Sequence, residues 1–306
     1  MPPDIALLTN PSAGRGRGLR AAAVALARLR EAGLSVRTLT GRDADEALDL
    51  ARSAVADGVD ALVAVGGDGA VHLAVQALMQ APPHARVLGV IAAGAGNDAA
   101  RSLDLLLGDP ARAADAVIGR RTRRIDVARV SGPGTSSTYV LTVLAAGFDA
   151  VVNERADAMR RPRGRMRYPL ATLAELRLLR RRPYTLTLDG RERRVEAVLV
   201  AVGNGPSFGG GLRIAHGAVL DDGLIDVVVV KAMGRLDLVR TYPRLRHGGH
   251  TTHPQYEQHR VRTATVAMPS STRAGAGMVA YADGERVGPL PLDVEAVPAA
   301  LEVLVP

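Results

Sequence analysis

The sequence has no cysteine and a single lysine, Lys231, among its 306 residues. The lack of cysteine excludes disulfide scaffolds, thiol nucleophiles and cysteine-ligated metal sites. The lysine lies in VVVVKAMG, so the GxxxxGK[ST] loop of the P-loop NTPases is also absent. Aromatic residues make up only 3% of the chain, which leaves few side chains for stacking on bases. We therefore predict no nucleic-acid partner.

Long hydrophobic runs are also missing. The run from Leu224 to Val230 is among the longest, and it falls well short of the roughly 20 residues that a membrane-spanning helix needs. The first residues carry an early acid, Asp4, and a break at Asn10–Pro11, which does not resemble a secretory signal. With 47% hydrophobic residues, the chain has ample material for folded cores. We expect a soluble, cytoplasmic protein.

The first part of the chain alternates apolar strands with helical patterns. This alternation predicts a parallel sheet covered by helices on both faces. The predicted elements are strands at 5–8, 35–39, 61–65 and 87–92 and helices at about 19–32, 44–56, 71–79 and 98–107.

After Arg124 the pattern changes to β-segments separated by Gly, Pro and Asp turns, interrupted by helical stretches at 149–160 and 169–181. This pattern is typical of a mostly antiparallel sandwich. We predict an α/β nucleotide-binding domain at residues 1–125 plus 296–306 and a β-rich domain at 126–295.

Three glycine-rich turns follow strands of the first domain: NPSAGRGRG (10–18), GGDG (66–69) and AAGAGND (92–98). Ligands of open parallel sheets bind at the carboxyl ends of the strands. Glycine there allows backbone N–H groups to approach phosphate oxygens, which helix N-termini also attract. An acid inside such a loop, here Asp68, requires a cation, a bridging water or a ribose hydroxyl. Together the three turns predict a nucleotide site.

These motifs resemble those of the diacylglycerol kinase catalytic-domain family, which includes soluble bacterial lipid kinases and sphingosine kinases. NPSAG, GGDGA and GAGND are followed in the family's order by AAGFDA (145–150), RGRMRYPLATL (163–173), GNGPSFGGGLRIAHGAVLDDGLIDV (203–227) and ADGE (282–285). The similarity spans essentially the whole chain. It implies a lipid kinase that uses ATP and Mg²⁺, with a lipid-binding second domain and an active site between the domains.

The resemblance also implies roles for particular residues. Asp283 matches the general base that takes the proton of the lipid hydroxyl, with Glu285 beside it. Asp222 matches a magnesium ligand, together with the carbonyl groups of Val219 and Leu224. Asp98 and Asp126, like Asp68, match aspartates that link this metal to the active site through water. The implied nucleotide-site positions are Asn10, Ser12, Gly14, Thr40, Gly66, Gly67, Asp68, Gly69, Ala70, Gly94, Ala95, Gly96 and Asn97.

The chain departs from the family pattern close to these positions. Ala70 and Ala95 stand where the family usually has threonine, and His72 and Leu73 stand where many relatives have Asn and Glu. Each missing threonine hydroxyl removes a hydrogen bond worth about 1–2 kcal/mol. A weak kinase, a different phosphate donor and a loss of catalysis all fit these departures.

Two other functions remain as alternatives. A kinase of the NAD-kinase type also uses a GGDG turn, but NPSAG, FGGGLRIA and ADGE favour the lipid-kinase pattern. A non-catalytic protein that binds lipid or nucleotide is supported by Ala70 and Ala95. The joint presence of Asp68, Asp222, Asp283 and Glu285 argues against it.

Two further patterns bear on partners. The spacing of His247, His250 and His253 suggests a metal site, but HGGHTTHP is better interpreted as a solvated loop. Arginines cluster around the stretch at 169–181, and arginine near a bilayer surface attracts anionic headgroups. We expect a membrane lipid substrate and peripheral contact with an anionic membrane, and a homodimer is compatible with the sequence. The clustered residues are Arg160, Arg161, Arg163, Arg165, Arg167, Arg180, Arg181 and Arg182.

Overall fold

The computed structural model describes residues 3–10, 16–147, 181–269 and 278–306. Within these ranges, fifteen strands join into one continuous, branched sheet that runs through both halves of the chain. Helices lie beside the strands of the first half, whereas the described part of the second half consists mainly of strands. This architecture confirms the predicted combination of an α/β first domain with a β-rich second domain.

The first half contains a parallel sheet in the order β2 (Ser35–Leu39), β1 (Asp4–Thr9), β3 (Ala61–Gly66) and β4 (Val87–Ala92). β1, β3 and β4 read as nearly continuous apolar runs, which is typical of parallel strands buried on both faces, whereas the edge strand β2 has the sequence SVRTL and is partly exposed. The elements in chain order are β1 (Asp4–Thr9), α1 (Arg17–Glu31), β2 (Ser35–Leu39), α2 (Ala44–Ala56), β3 (Ala61–Gly66), α3 (Asp68–Met79), β4 (Val87–Ala92), α4 (Asp98–Ser102) and α5 (Pro110–Gly119).

The two faces of this sheet bury alternate residues of each strand, as the period of a β-strand requires. Leu7 and Val63 pack with residues of α1 and α5, whereas Leu8 and Leu62 pack with residues of α2 and α3. The side chain of Asp43 accepts a hydrogen bond from the Glu46 N–H and caps the start of α2. This packing fixes the orientation of all four strands, and therefore the edge at which their carboxyl ends meet.

The helix predicted at 98–107 is too long at its C-terminal end. In the structure α4 ends at Ser102, and Asp104 has a φ of 55°, in the left-handed region. That conformation stops a helix. Leu107 then forms a bridge to Ala92 at the end of β4, so the apolar run after Ser102 returns to the sheet.

The second half is built from antiparallel pairs. The helical stretches predicted at 149–160 and 169–181 lie outside the described residues, except for Arg181. The described elements are β5 (Arg121–Gly132), β6 (Thr135–Val140), β7 (Val143–Gly147), β8 (Arg182–Leu188), β9 (Arg191–Gly203), β10 (Ile225–Lys231), α6 (Arg235–Thr241), β11 (Tyr256–Val261), β12 (Thr263–Ala267), β13 (Val279–Ala282), β14 (Glu285–Pro289) and β15 (Leu292–Val305).

Two long antiparallel strands, β5 and β15, pass through both halves of the molecule. Near its end β15 runs parallel to β4, with Val303 opposite Leu88, and near its start it runs antiparallel to β12. The register between β5 and β15 shifts between Val297 and Leu301. The predicted domain boundaries at 125/126 and 295/296 therefore fall inside these two strands, and the division into domains stays a prediction.

Candidate active site

The carboxyl ends of the parallel strands bring the predicted nucleotide loops to one edge of the sheet. β1, β2, β3 and β4 are neighbours and run in the same direction. Asn10 and Thr40 directly follow β1 and β2, and the Asn10 N–H donates to the Val65 carbonyl at 3.3 Å. GGDG follows β3, and the loop that starts at Ala93 follows β4. Two predicted positions, Ser12 and Gly14, lie outside the described residues.

The two described glycine loops are in direct backbone contact. The Gly66 carbonyl accepts hydrogen bonds from the N–H groups of Ala93 at 2.7 Å and of Gly94 at 3.1 Å. A Cβ atom on Gly94 would lie 2.3 Å from the Cα of Gly67, which is far inside van der Waals contact. Only glycine allows the loops after β3 and β4 to stack in this way.

Asn97 holds the second loop in shape. Its φ is 58°, a left-handed conformation that asparagine tolerates well. Its Oδ1 accepts the Gly94 N–H at 2.9 Å, and its Nδ2 donates to the Gly94 carbonyl at 3.2 Å. The amide is therefore engaged within its own loop, so Asn97 positions the backbone at this edge.

Asp68 is the first residue of α3 and joins the loops after β3 and β4. Its Oδ1 accepts the Ala99 N–H from α4 at 3.0 Å. A Cβ atom on Gly96 would lie 2.7 Å from Asp68 Oδ2 and 3.3 Å from Asp98 Oδ2. Gly96 thus lies between two carboxylates, and their closeness depends on its missing side chain.

Asp98 connects this edge to the second half of the chain. Its two oxygens accept the N–H groups of Gly210 and Gly211, each at 2.7 Å. Both glycines have positive φ, 84° and 98°, a conformation that turns these N–H groups towards one carboxylate and that favours glycine. The FGGGL segment is therefore held by Asp98.

The carboxylates at this site have unusual proton affinities. Burial raises the pKa of Asp68 to about 6, and the charges of Asp98 and Asp283 add to this effect. Burial also raises the pKa of Asp98, despite the hydrogen bonds from Gly210 and Gly211. The repulsion among these carboxylates is the kind that a bound cation relieves.

Asp283 lies in the turn between β13 and β14, and its side chain is only 5% exposed. Oδ1 accepts the Thr142 N–H at 2.9 Å and the Thr142 hydroxyl at 2.5 Å. Oδ2 accepts the Leu141 N–H at 3.1 Å and lies 3.4 Å from His72 Nδ1. A carboxylate has about four acceptor positions, and these contacts use all of them.

The contacts keep Asp283 ionised. Burial alone would raise the pKa of its carboxyl group, but hydrogen bonds and charge from His72, Thr142 and Leu141 outweigh burial and lower it. The effect is reciprocal at His72, where burial lowers the imidazole pKa, but Asp283 more than compensates and the pKa is raised. The pair therefore favours a carboxylate beside an imidazolium.

Glu285 lies on the exposed side of the same turn and faces the GGDG loop. Its Oε1 would be 3.2 Å from a Cβ atom on Gly69. The hairpin that carries Asp283 and Glu285 thus meets the start of α3. This contact brings the two predicted catalytic acids of the second half to the predicted nucleotide loop of the first.

Two site residues were not identified as such from the sequence. Thr142 gave no signal, because it reaches Asp283 only through the pairing of β7 with β13. His72 was noted only as a departure from the family pattern. A signal did exist, since His72 is four residues after Asp68 and the two share one face of α3.

The implied magnesium turn forms a separate group. Asp222 Oδ1 accepts the Leu224 N–H at 3.0 Å in an exposed turn, and the Val219 side chain is exposed as well. Asp126 is buried, and its two oxygens accept the N–H groups of Gly223 at 2.6 Å and Ala299 at 2.7 Å. Asp126 therefore connects this turn to β15. The two carboxylate oxygens that accept these hydrogen bonds are the atoms that would have to bind a metal.

No cluster of three or more His, Asp or Glu side chains suited to a metal ion occurs within the described ranges. His250 is buried against Tyr256, and its Nε2 lies 3.3 Å from the Ile214 carbonyl. Of the clustered arginines, only Arg181 and Arg182 are described. Among the described residues, no helix combines the length and the apolar character that crossing a bilayer requires.

Comparison with known proteins places this geometry in a family. Residues 4–130 match the diacylglycerol kinase catalytic domain, and residues 142–305 match the YegS C-terminal NAD kinase beta sandwich-like domain. A diacylglycerol kinase of Mycobacterium tuberculosis is 42% identical over 303 residues, which cover 99% of this chain and 95% of that protein. A diacylglycerol kinase of Bacillus subtilis is 28% identical over 287 residues, and the match covers 93% of this chain and 90% of that protein.

A solved structure described as a diacylglycerol kinase from Bacillus anthracis str. Sterne has the same fold. The TM-score is 0.73 at 19% identity, and the match covers 99% of this chain and 97% of that one. At this identity the likeness concerns the fold alone. The family rests on the sequence matches, which extend over both halves of the molecule. The chain belongs to the diacylglycerol kinase family of lipid kinases.

Proposed function

We propose that this protein transfers the terminal phosphoryl group of ATP, with Mg²⁺, to the hydroxyl group of a diacylglycerol-like lipid. The observation that carries this proposal is the meeting of the Asp283–Glu285 turn with GGDG, seen in the 3.2 Å between Glu285 Oε1 and the Cβ position of Gly69. An ionised carboxylate beside a glycine loop at a helix N-terminus provides a proton acceptor and a phosphate site within one cleft.

The nucleotide phosphates would bind at the carboxyl edge of the first sheet. The stacked loops after β3 and β4 present backbone N–H groups, and the N-terminus of α3 adds a favourable potential for anions. Ala95 is exposed in its loop, so a phosphate can approach the backbone there without obstruction. The role of Asn97 in this proposal is to hold that loop.

The residues at the edge fit a magnesium ion. Mg²⁺ prefers oxygen ligands and commonly binds through one or two carboxylates plus substrate phosphates. Asp68 and Asp98 supply such oxygens, and the pKa of Asp68 is raised by burial and by neighbouring carboxylates, a repulsion that a bound cation would relieve. Bound Mg²⁺ would neutralise charge on the transferring phosphoryl group. The family pattern implies a magnesium ion at the Asp222 turn, and that ion would be a second one beside the ion at Asp68 and Asp98.

Asp283 is the proposed general base. Its low pKa keeps it ionised, and its backbone contacts with Leu141 and Thr142 fix the direction of the carboxylate. The 3.4 Å contact with His72 is the longest of the four, and it is the one that a substrate hydroxyl can replace most easily. As the hydroxyl oxygen bonds to the terminal phosphorus, the bond from that phosphorus to the bridging oxygen would break and ADP would leave. The proton of the hydroxyl would pass to Asp283, and Glu285 would lie beside the phosphate groups.

The acceptor would be a membrane lipid, and we propose a cytoplasmic protein that contacts an anionic membrane peripherally. A homodimer is compatible with this function. The division into a nucleotide domain, 1–125 plus 296–306, and a lipid domain, 126–295, completes the proposal. The second candidate is a non-catalytic family member that binds lipid or nucleotide, and Ala70 and Ala95 favour it because they lack the family's threonine hydroxyls.

The deciding experiment is radiolabel transfer from γ-labelled ATP into a total lipid extract in mixed micelles with Mg²⁺, comparing wild type with Asp283→Asn. A labelled lipid that disappears in the variant supports the proposal, and its identification names the substrate. A parallel reaction with NAD in plain buffer tests a soluble acceptor. If ATP binds but no lipid is labelled, the non-catalytic function takes precedence.

A further inference from the structure

Helix α6 and the turn after it, residues 235–246, expose large apolar side chains on one side. Leu236 is 71% exposed, Val239 58% and Tyr242 41%. The first two are three residues apart in a helix, and Tyr242 follows by three more, so they lie on the same face. Exposing this much contiguous apolar surface is unfavourable in water, and such patches mark contacts with a membrane or a partner.

The opposite side of this segment is anchored in the second half of the molecule. Thr241 is buried, and Leu245 packs against the cluster that contains Ile214 and Val228. The Leu245 carbonyl also accepts the Arg213 N–H at 2.9 Å. Because Thr241 and Leu245 are held in the core, the fold keeps Leu236 and Val239 on the solvent-exposed side of this segment.

Positive charge surrounds the apolar face. Arg240, Arg244 and Arg246 are exposed, and none of them forms an ion pair with a described residue. Some exposed arginines elsewhere do form ion pairs, as Arg28 does with Asp115 at 2.7 Å and Arg123 with Asp221 at 2.9 Å.

In sequence, the stretch 234–252 contains four arginines and a single acid, Asp237. Arginines without carboxylate partners leave their charge available to an external anion. The stretch therefore combines a net positive charge with an outward apolar face.

We propose that α6 and the following turn bind the surface of an anionic lipid bilayer. Apolar side chains flanked by arginine match the layered chemistry of that surface, because the apolar groups enter the acyl boundary while guanidinium groups meet phosphate headgroups. A protein partner would explain the apolar residues, but the unpaired arginines specifically complement an anionic surface. The proposal rests on the proposed function, since a substrate held in a bilayer gives the enzyme a reason to dock there.

The location agrees with this assignment. α6 leaves the sheet directly after β10, where Lys231 lies opposite Ala197 of β9. Ala197 in turn lies opposite Arg182 at the start of β8. Asp283, by contrast, is reached from the other end of β9, through β7 and the pairing of Leu144 with Val202. The start of α6 and the turn with Asp283 therefore lie towards opposite ends of β9.

The test is sedimentation of the full-length chain with vesicles of phosphatidylcholine that contain about 30% of the anionic lipid phosphatidylglycerol. Each arginine near an anionic surface contributes roughly a fivefold gain in partitioning, so Arg240→Gln with Arg246→Gln should lower the partition constant by roughly 20- to 30-fold. Leu236→Ser with Val239→Ser should lower it at least about tenfold.

Matched controls remove the same groups from the first half. Arg30→Gln with Arg112→Gln deletes two exposed arginines of α1 and α5, and Leu19→Ser with Val24→Ser deletes two exposed apolar residues of α1. Both control variants should bind the vesicles like wild type. Phosphorylation of a short-chain diacylglycerol dispersed below its micellar concentration should be unchanged in the α6 variants.

Several outcomes would overturn the proposal. The first is that wild type binds pure phosphatidylcholine vesicles as well as anionic ones. The second is that the control variants lose as much binding as the α6 variants, and the third is that wild type does not bind vesicles at all. If the α6 variants instead change how the protein sediments in the absence of vesicles, a second copy of the chain covers this face, and the bilayer does not cover it. Vesicle binding that depends on α6, without transfer of label to any lipid, would leave docking in place and overturn the proposed function alone.

Discussion

His72 Nδ1 lies 3.4 Å from Asp283 Oδ2, and both side chains are almost fully buried. The two residues come from opposite halves of the chain, from the helix after GGDG and from the β13–β14 turn. Each shifts the pKa of the other towards the charged form, against the effect of burial. The pair therefore joins the two halves by charge at the point where the reaction is proposed to occur.

This pair predicts a pH-dependent stability. The lowered pKa of Asp283 stabilises the fold above the unfolded value of about 3.9. The raised pKa of His72 adds stability below its unfolded value of about 6.5, and this part is lost as the pH rises through the folded value. His72→Asn should therefore lower the free energy of unfolding by roughly 1–3 kcal/mol at pH 5.5 and by less at pH 8.5. Urea unfolding at both pH values measures this, and an equal loss at both would contradict the charged pair.

Asp283→Asn should lower turnover by at least roughly 100-fold, since a general base contributes about that much or more, while ATP binding stays largely intact. The amide also places an NH₂ group near the N–H groups of Leu141 and Thr142, so some stability should be lost. Turnover, calorimetric ATP binding and thermal unfolding should be measured together. A variant that folds and binds ATP but keeps its rate would remove Asp283 from the mechanism.

The two alanines in the nucleotide loops should respond differently to threonine. Ala95 is exposed, so Ala95→Thr should tighten ATP by up to roughly tenfold through one added hydrogen bond. Ala70 is only 2% exposed and packs in the core with Val71 and Leu78, so Ala70→Thr should destabilise the protein by about 1–3 kcal/mol. ATP titrations and urea unfolding separate the two effects. Unchanged affinity in Ala95→Thr would show that the missing hydroxyl is irrelevant.

Metal binding should follow Asp68. Because its folded pKa of about 6 exceeds the unfolded value, its ionisation destabilises the fold progressively as the pH rises from about 4 to about 6. Asp68→Asn should therefore raise the melting temperature at pH 7.5 without Mg²⁺, and it should remove the part of the Mg²⁺-induced rise in wild type that comes from binding at the nucleotide edge.

Asp222→Asn, in the exposed turn, serves as the matched variant for this test. It should keep the part of the Mg²⁺-induced rise in melting temperature that comes from Mg²⁺ binding at the nucleotide edge. If Asp222→Asn removes that rise and Asp68→Asn does not, the metal belongs to the turn and the assignment to Asp68 is wrong.

The contact between the two glycine loops gives a further pair of variants. Gly94→Ala places a Cβ atom 2.3 Å from Gly67 Cα, so it should cost more than about 2 kcal/mol and abolish ATP binding. Gly69→Ala meets only the flexible Glu285 side chain, at 3.2 Å, and should be tolerated within about 1 kcal/mol. Urea unfolding with ATP titration compares them, and equal effects would show that loop stacking is unimportant.

The sequence was informative where local rules apply. Buried apolar strands followed by glycine turns predicted the edge at which Asn10, GGDG and Gly94 meet, because parallel strands end on the same side, whereas Thr40 was implied only by the family resemblance. It was misleading after Ser102, where an apolar run suggested helix but Asp104 adopts a left-handed conformation.

Contacts made by distant pairing could not be predicted from local patterns. Thr142 reaches Asp283 only because β7 pairs with β13, and no local pattern encodes that register. Asp126 was assigned to a metal network from the family resemblance. The structure shows its oxygens bonded to the Gly223 and Ala299 N–H groups, a use that depends on where β15 returns.

The strands β5 and β15 have a consequence for how the cleft can move. Two halves joined only by a flexible linker would move freely relative to one another. Here, hydrogen-bonded strands continue from the first half of the molecule into the second. Any change in the angle between the halves must bend this ribbon. The bulge between Val297 and Leu301 is where the ladder is already interrupted, and Asp126 clamps it through Ala299. We therefore expect any bending between the two halves to occur at this bulge, and we expect Asp126 to resist it through its hydrogen bond with Ala299.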